Sequence, residues 1–379
     1  MIFFKHSASK DIIIKKIDVD LNLHFKFLYS MSYLKHLLLL FIVFLLLNNN
    51  AKSQVVNAKS EDFQGICNRQ LIVQLIAEDA YFVEDLQKRI SKTSNAKRKE
   101  ELESELNAYR EFVSAYNSQI KEAITKDWQF NKDKPIEFKT FSDVQEVRKI
   151  NPKSYTLLQF VQTKLWVTNE YGIQTFTKKT IPTMVYSRME NSEPYDEDFN
   201  KKIDYSFYMP YINSRKNQQL FGSDLLISLK IIQNHIKEIR NFDKKNYTVT
   251  DYAKDQDDEN CIKLKNMALF VDDKLIDAKT KKPDISKAFS GKINFVSSEE
   301  ISKIINNQEE EAVSISLPIA IKSDKSGIAG LEYMEEVMYM KCFVNAKSGI
   351  FYATYISKTG GNWEPLYKTQ EFKRIEKCK

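Results

Sequence analysis

The feature that most constrains the fold is a near-repetition half a chain apart. Residues 136–160 and 293–317 follow one pattern at a constant offset of 157 positions, without a gap. Each opens with Ile-x-Phe (Ile136 and Phe138, then Ile293 and Phe295), passes a helix-start signal and ends in a second apolar run. At that offset Val144 falls on Ile301, Val147 on Ile304, Leu158 on Ile315 and Phe160 on Leu317. The apolar spacing predicts a strand, an amphipathic helix and a strand in each copy, and so two related halves.

Ahead of both lies Leu37–Leu47, LLLLFIVFLLL. Eleven apolar residues fall short of the ~20 a membrane span needs, and they match the core of a secretory signal peptide. Ala51-Lys52-Ser53 offers small residues for cleavage before Gln54. The rival expectation keeps residues 37–47 as an inner-membrane anchor. Met31 begins a leader of ordinary length, so residues 1–53 read as an over-long start plus signal peptide.

That segment holds seven lysines and three aspartates, and without it the chain is nearly neutral despite a formal charge of +6 overall. A nearly neutral chain gives no electrostatic case for nucleic acid. Three of the four histidines, His6, His24 and His36, also leave with it. His235 remains, which excludes a multi-histidine metal site. A lone histidine beside an apolar helical stripe reads as a boundary or hydrogen-bonded residue, since a general base needs partners. Cys67, Cys261, Cys342 and Cys378 are widely spaced with no CxxC, so a zinc knuckle is disfavoured and three full disulfide pairings stay open.

In chain order, 54–65 reads as loose and 68–92 as a helix. Residues 96–127 read as a longer helix with a near-heptad seam of Leu102, Leu106, Tyr109, Val113, Tyr116, Ile120 and Ile124. The two helices pair as an αα-hairpin, assigning 54–130 to a helical unit packed on the sheets; a docking arm is the alternative. Residues 131–242 form the first α/β half, with a hairpin turning at 169–172 and a helix over 220–241. The polar stretch 243–260 reads as a solvated linker. Its Asp255, Asp257, Asp258 and Glu259 lack the glycine and glutamate spacing of a calcium loop. Residues 261–379 form the second half, with a capping box at Ser297-x-x-Glu300 and a hairpin turning at Gly349.

The nine glycines form no GxGxxG or Walker loop, and neither GxSxG nor HExxH occurs. No catalytic residue, cofactor or metal ligand is therefore assigned. The aromatics Tyr205, Phe207, Tyr208 and Tyr211, with Trp166, are the candidate ligand or partner surface, weighed against the commoner fate of sheet-core packing.

Tyr116-Asn117-Ser-Gln-Ile120 through Trp128, Ile136-Glu-Phe138, Leu264-Lys-Asn-Met-Ala-Leu269-Phe-Val271, Ile293-Asn-Phe-Val296 and the turn at Gly349 resemble a group of uncharacterised exported proteins of Bacteroidota-type bacteria. The resemblance implies periplasmic residence and carries no activity or site residue.

The expectation is an exported α+β protein: an N-terminal helical hairpin, then two related, mostly antiparallel sheet-and-helix halves. It would act as a non-enzymatic envelope module binding a protein or glycan, with no nucleic acid and with membrane contact only through an uncleaved leader. The rivals are a glycan-directed hydrolase using carboxylates alone and a small-ligand sensor with a pocket between the halves.

Overall fold

A computed structural model describes residue 56 and residues 58–168, 174–192, 202–210, 222–242, 247–307, 312–326, 333–356 and 364–378. For residues 166–168, 174–179, 242, 323–326 and 333–335 it describes the backbone alone. The leader and the turn expected at 169–172 lie outside the described residues. Among those described, no helix is long and apolar enough to cross a membrane.

The fold is α+β, with ten strands among the described residues, in two five-stranded mixed sheets. Sheet one has the order β2 (Glu137–Lys139), β1 (Gln70–Gln74), β3 (Tyr155–Thr168), β4 (Gln174–Arg188), β5 (Tyr205–Tyr208). Sheet two has the order β7 (Lys292–Val296), β6 (Ala268–Asp272), β8 (Val313–Ser326), β9 (Tyr333–Asn345), β10 (Phe351–Tyr355). In each, the first three strands are mutually parallel and the last three antiparallel. The expectation of mostly antiparallel halves therefore needs correcting. A strand–helix–strand unit returns its second strand in the same direction, and β1 or β6 fills the gap between the two. The sheets meet at the far end of their long hairpins, where Val167 and Thr168 of β3 pair with Met334 and Tyr333 of β9.

The two repeat helices are α4 (Phe141–Ile150) and α8 (Ser298–Asn307), whose bounds keep the 157-residue offset. Thr140 caps α4 in a reciprocal box with Asp143, and the Ser297 hydroxyl accepts from the Glu300 N–H at the start of α8. After the helices the offset grows by one. Ile72 pairs with Leu157 while its counterpart Phe270 pairs with Ile315. Leu157, not Leu158, is thus the match of Ile315. In a strand a one-residue slip moves a side chain to the other face.

The strand of sheet one nearest the amino end was missed. Residues 68–92 are not one helix: α1 (Ser60–Asn68) ends, β1 follows, and α2 (Ala80–Lys92) begins after Asp79 caps it. The helical unit expected over 54–130 therefore shrinks to the hairpin of α2 and α3 (Ala96–Asp127), and the stretch expected to be loose contains α1. The segment expected as a solvated linker is also a helix, α6 (Val249–Asn260). The Thr248–Asp251 box starts it, and Val249, Tyr252, Ala253, Asp257 and Asn260 are buried along one side.

Packing is layered and runs in one sense. β1 turns Leu71 and Val73 to the core shared by the two sheets, and Ile72 to a small cluster under Val144 of α4. β6 turns Leu269 and Val271 outward, to a cluster with Ile285 of α7 (Lys282–Ala288) and Phe372 and Ile375 of α9 (Thr369–Glu376), while Phe270 packs on the shared core. Between the sheets lies α5 (Gly222–Phe242), buried over most of its surface through Leu225, Ile227, Leu229, Ile232 and Ile236. Both sheets and α8 bury apolar surface in this core, at roughly 25 cal/mol per Å2 removed from water. The β9–β10 turn needs Gly349. Its φ is +74°, and a Cβ there would stand 2.8 Å from the Lys230 Cβ of α5.

Candidate functional site

The densest grouping of charged and sulfur-bearing side chains described lies where α6, β10 and α9 converge. Val249, Tyr252 and Ala253 anchor α6 in the shared core, which carries its last turn against β10. There Asp257 Oδ2 accepts from the Thr354 N–H at 3.1 Å, the Thr354 hydroxyl at 3.2 Å and the Arg374 guanidinium at 3.3 Å. Burial raises the Asp257 carboxyl above its ordinary value, against the pull of the Thr354 and Arg374 donors. Its place in the polar stretch 243–260 gives no local sign of this burial.

Beside it, Lys341 of β9 and Glu371 of α9 form an ion pair at 2.9 Å with both side chains at most 2% exposed. Glu371 also accepts from the Lys368 N–H and so caps α9. The Lys341 ammonium and the Arg374 guanidinium each stand 5.9 Å from the Tyr355 ring centroid, within cation–π range.

The third part is a disulfide between Cys261, at the carboxyl end of α6, and Cys378, just past α9. It selects one pairing that sequence spacing could not. Lys265 holds the final turn by donating to the carbonyls of Glu376 at 2.7 Å and Cys378 at 3.2 Å. The two sulfurs and a carboxylate oxygen of Asp257 all lie within 4.8 Å of one another. Asp257, Cys261, Glu371 and Arg374 line a cleft of about 10 Å3, room for a single water. A sugar ring does not fit, so this pair of acids gives no support to glycoside hydrolysis. Cys67 and Cys342 are buried free thiols, and burial pushes both upward, away from the reactive thiolate.

His235 is fully buried. Its Nε2 lies 3.0 Å from the Tyr247 carbonyl and donates to it, which leaves Nδ1, 3.1 Å from the Tyr205 hydroxyl, to accept. The ring stacks on Tyr252 with centroids 5.2 Å apart. Both nitrogens are therefore committed to structure.

The aromatic surface is not where the sequence analysis put it. Tyr205, Phe207 and Tyr208 are at most 2% exposed. Tyr205 and Phe207 enter the shared core, and Tyr208 joins Leu165, Ile181 and Ala320 at the junction of the sheets. Strand β5 is short and covered on both faces, so alternation does not leave one face wet. The Trp166 backbone pairs with Phe176 in the β3–β4 hairpin, and Tyr211 lies outside the described residues.

Comparison with family models, with characterised proteins and with solved structures finds no match to this chain.

Proposed function

We propose that the chain is an exported, non-enzymatic module of the cell envelope whose α2–α3 hairpin engages a partner protein. The hairpin is the observation that carries this reading. At 1.5 Å per residue the 32-residue α3 is about 48 Å long. Its carboxyl half inserts Tyr116, Ile120, Ala123 and Ile124 into the shared core. Its amino half instead joins α2 in a separate cluster of Val83, Leu86, Leu102 and Leu106, with Tyr81 87% exposed at the start of α2. An arm with its own small core, rooted in the body by one helix, suits docking.

Export is supported by the leader pattern at residues 37–53 and by the Cys261–Cys378 bond, since disulfides persist in oxidising compartments. The shared strand order of the two sheets supports their origin by duplication.

The test compares capture from envelope extracts by the chain lacking its leader and by a variant in which a short Gly-Ser turn replaces residues 84–105. Circular dichroism and the melting transition check that the body persists. Specific capture by the intact chain, lost in the shortened one, supports the reading. Equal capture by both, or none by either, overturns it.

A further inference from the structure

We infer that the Cys261–Cys378 pair has a second state: once reduced, its two sulfurs and the Asp257 carboxylate form a binding site for a divalent cation of the zinc type. The donor set is built by the fold. Asp257 and Cys261 lie four residues apart on one side of α6, at 6% and 8% exposure, and α9 and Lys265 bring Cys378 against them. Zinc at ~2.3 Å from sulfur and ~2.0–2.2 Å from carboxylate oxygen needs its ligands about 3.3–3.8 Å apart in a tetrahedron. Ligand atoms already within 4.8 Å of one another reach that spacing by side-chain rotation once the S–S bond is open. The adjoining cleft of about 10 Å3 has room for one water, which would supply the fourth ligand.

Charge explains why the two states exclude each other. In the disulfide form Asp257 and Glu371 are balanced by Arg374 and Lys341, and Glu376 by Lys265, so no net charge attracts a cation. A dithiol reductant transfers two electrons and two protons, becoming a disulfide itself while Cys261 and Cys378 become thiols. The cation then displaces those two protons, and its two charges match the two thiolates. Arg374, with its side chain 53% exposed, is free to swing into solvent and release Asp257.

The experiment titrates the purified chain with zinc chloride against a chromogenic chelator, before and after reduction by a phosphine. Cobalt chloride provides a parallel readout through its thiolate charge-transfer absorption. The expected result is one equivalent bound by the reduced chain and none by the oxidised one. Asp257→Asn should weaken binding at least tenfold, and Arg374→Gln should tighten it severalfold by removing the competing cation. Cys67→Ser and Cys342→Ser should change nothing. Both Asp257→Asn and Arg374→Gln keep the two cysteines, so they remain informative if a cysteine variant fails to fold. No uptake by the reduced chain, equal uptake by the oxidised chain, or uptake indifferent to Asp257→Asn would overturn the inference.

Discussion

Replacing both Cys261 and Cys378 by alanine removes a cross-link that closes a loop of 117 residues in the unfolded chain. The loop-closure relation puts the lost restriction at about 5 kcal/mol at 25 °C. Little native packing goes with it. Cys378 is only partly buried, and α9 keeps Phe372, Ile375 and the Lys341–Glu371 pair. Against a usual stability of 5–15 kcal/mol, this loss takes a third or more. Urea unfolding in chelator, followed through the fluorescence of buried Trp128, gives both quantities needed. The midpoint should fall, and the slope m should rise, because the uncrosslinked unfolded chain exposes more surface. Wild type with reductant in chelator should reproduce the variant. A loss under about 1 kcal/mol with unchanged m would refute the reasoning, since an intact long-range cross-link cannot be that weak on the loop-entropy account.

Glu371→Gln leaves the Lys341 ammonium buried without a counter-charge and should cost about 3–5 kcal/mol, whereas Lys341→Met with Glu371→Leu should recover most of it; urea midpoints of the two variants separate these outcomes. Gly349→Ala forces a left-handed alanine against Lys230 and should cost about 1–3 kcal/mol in the same assay. Asp257 gives a pH signature. Its folded pKa lies above the unfolded one, so between those values the native state binds more protons, and stability falls as pH rises through that window. The difference in unfolding free energy between wild type and Asp257→Asn should therefore decline as pH rises from about 4 towards 7; a difference that grows instead would show that the Thr354 and Arg374 donors outweigh burial.

Much of the fold was legible because local signals agreed. The capping residues Thr140 and Ser297 start α4 and α8, and Gly349 turns the last hairpin. The failures have physical causes. Gln70-Leu-Ile-Val-Gln74 is buried on both faces, so it lacks alternation, and its apolar residues also fit a helical spacing. The α6 sequence is half charged, yet its short apolar stripe is enough because Asp257 and Asn260 find partners inside. The Thr248–Asp251 box that starts it is local, but the charged composition around it masks the helix. The extra residue between α8 and β8, relative to the span between α4 and β3, moves Leu158 off its expected match. The site itself was not readable. Asp257, Arg374, Glu371, Cys261 and Cys378 come together only through the docking of α9, a long-range event with no local spacing.

The head-to-tail stacking of the two sheets has a consequence for assembly. A unit that places its closing helix against the back of the next leaves one open face at each end, and nothing in that rule limits the count to two. The outermost helices, α4 and α9, are polar on their exposed sides. α5, in the interior, is largely buried, with Lys230, Asn234, Lys237 and Glu238 half-buried along one stripe, while α9 at the far end exposes Gln370, Lys373 and Arg374. At the near end α4 presents Ser142, Asp143, Glu146 and Lys149, with Ile150 the apolar exception. Both outer layers thus meet water through polar side chains, as the end caps of a solenoid do.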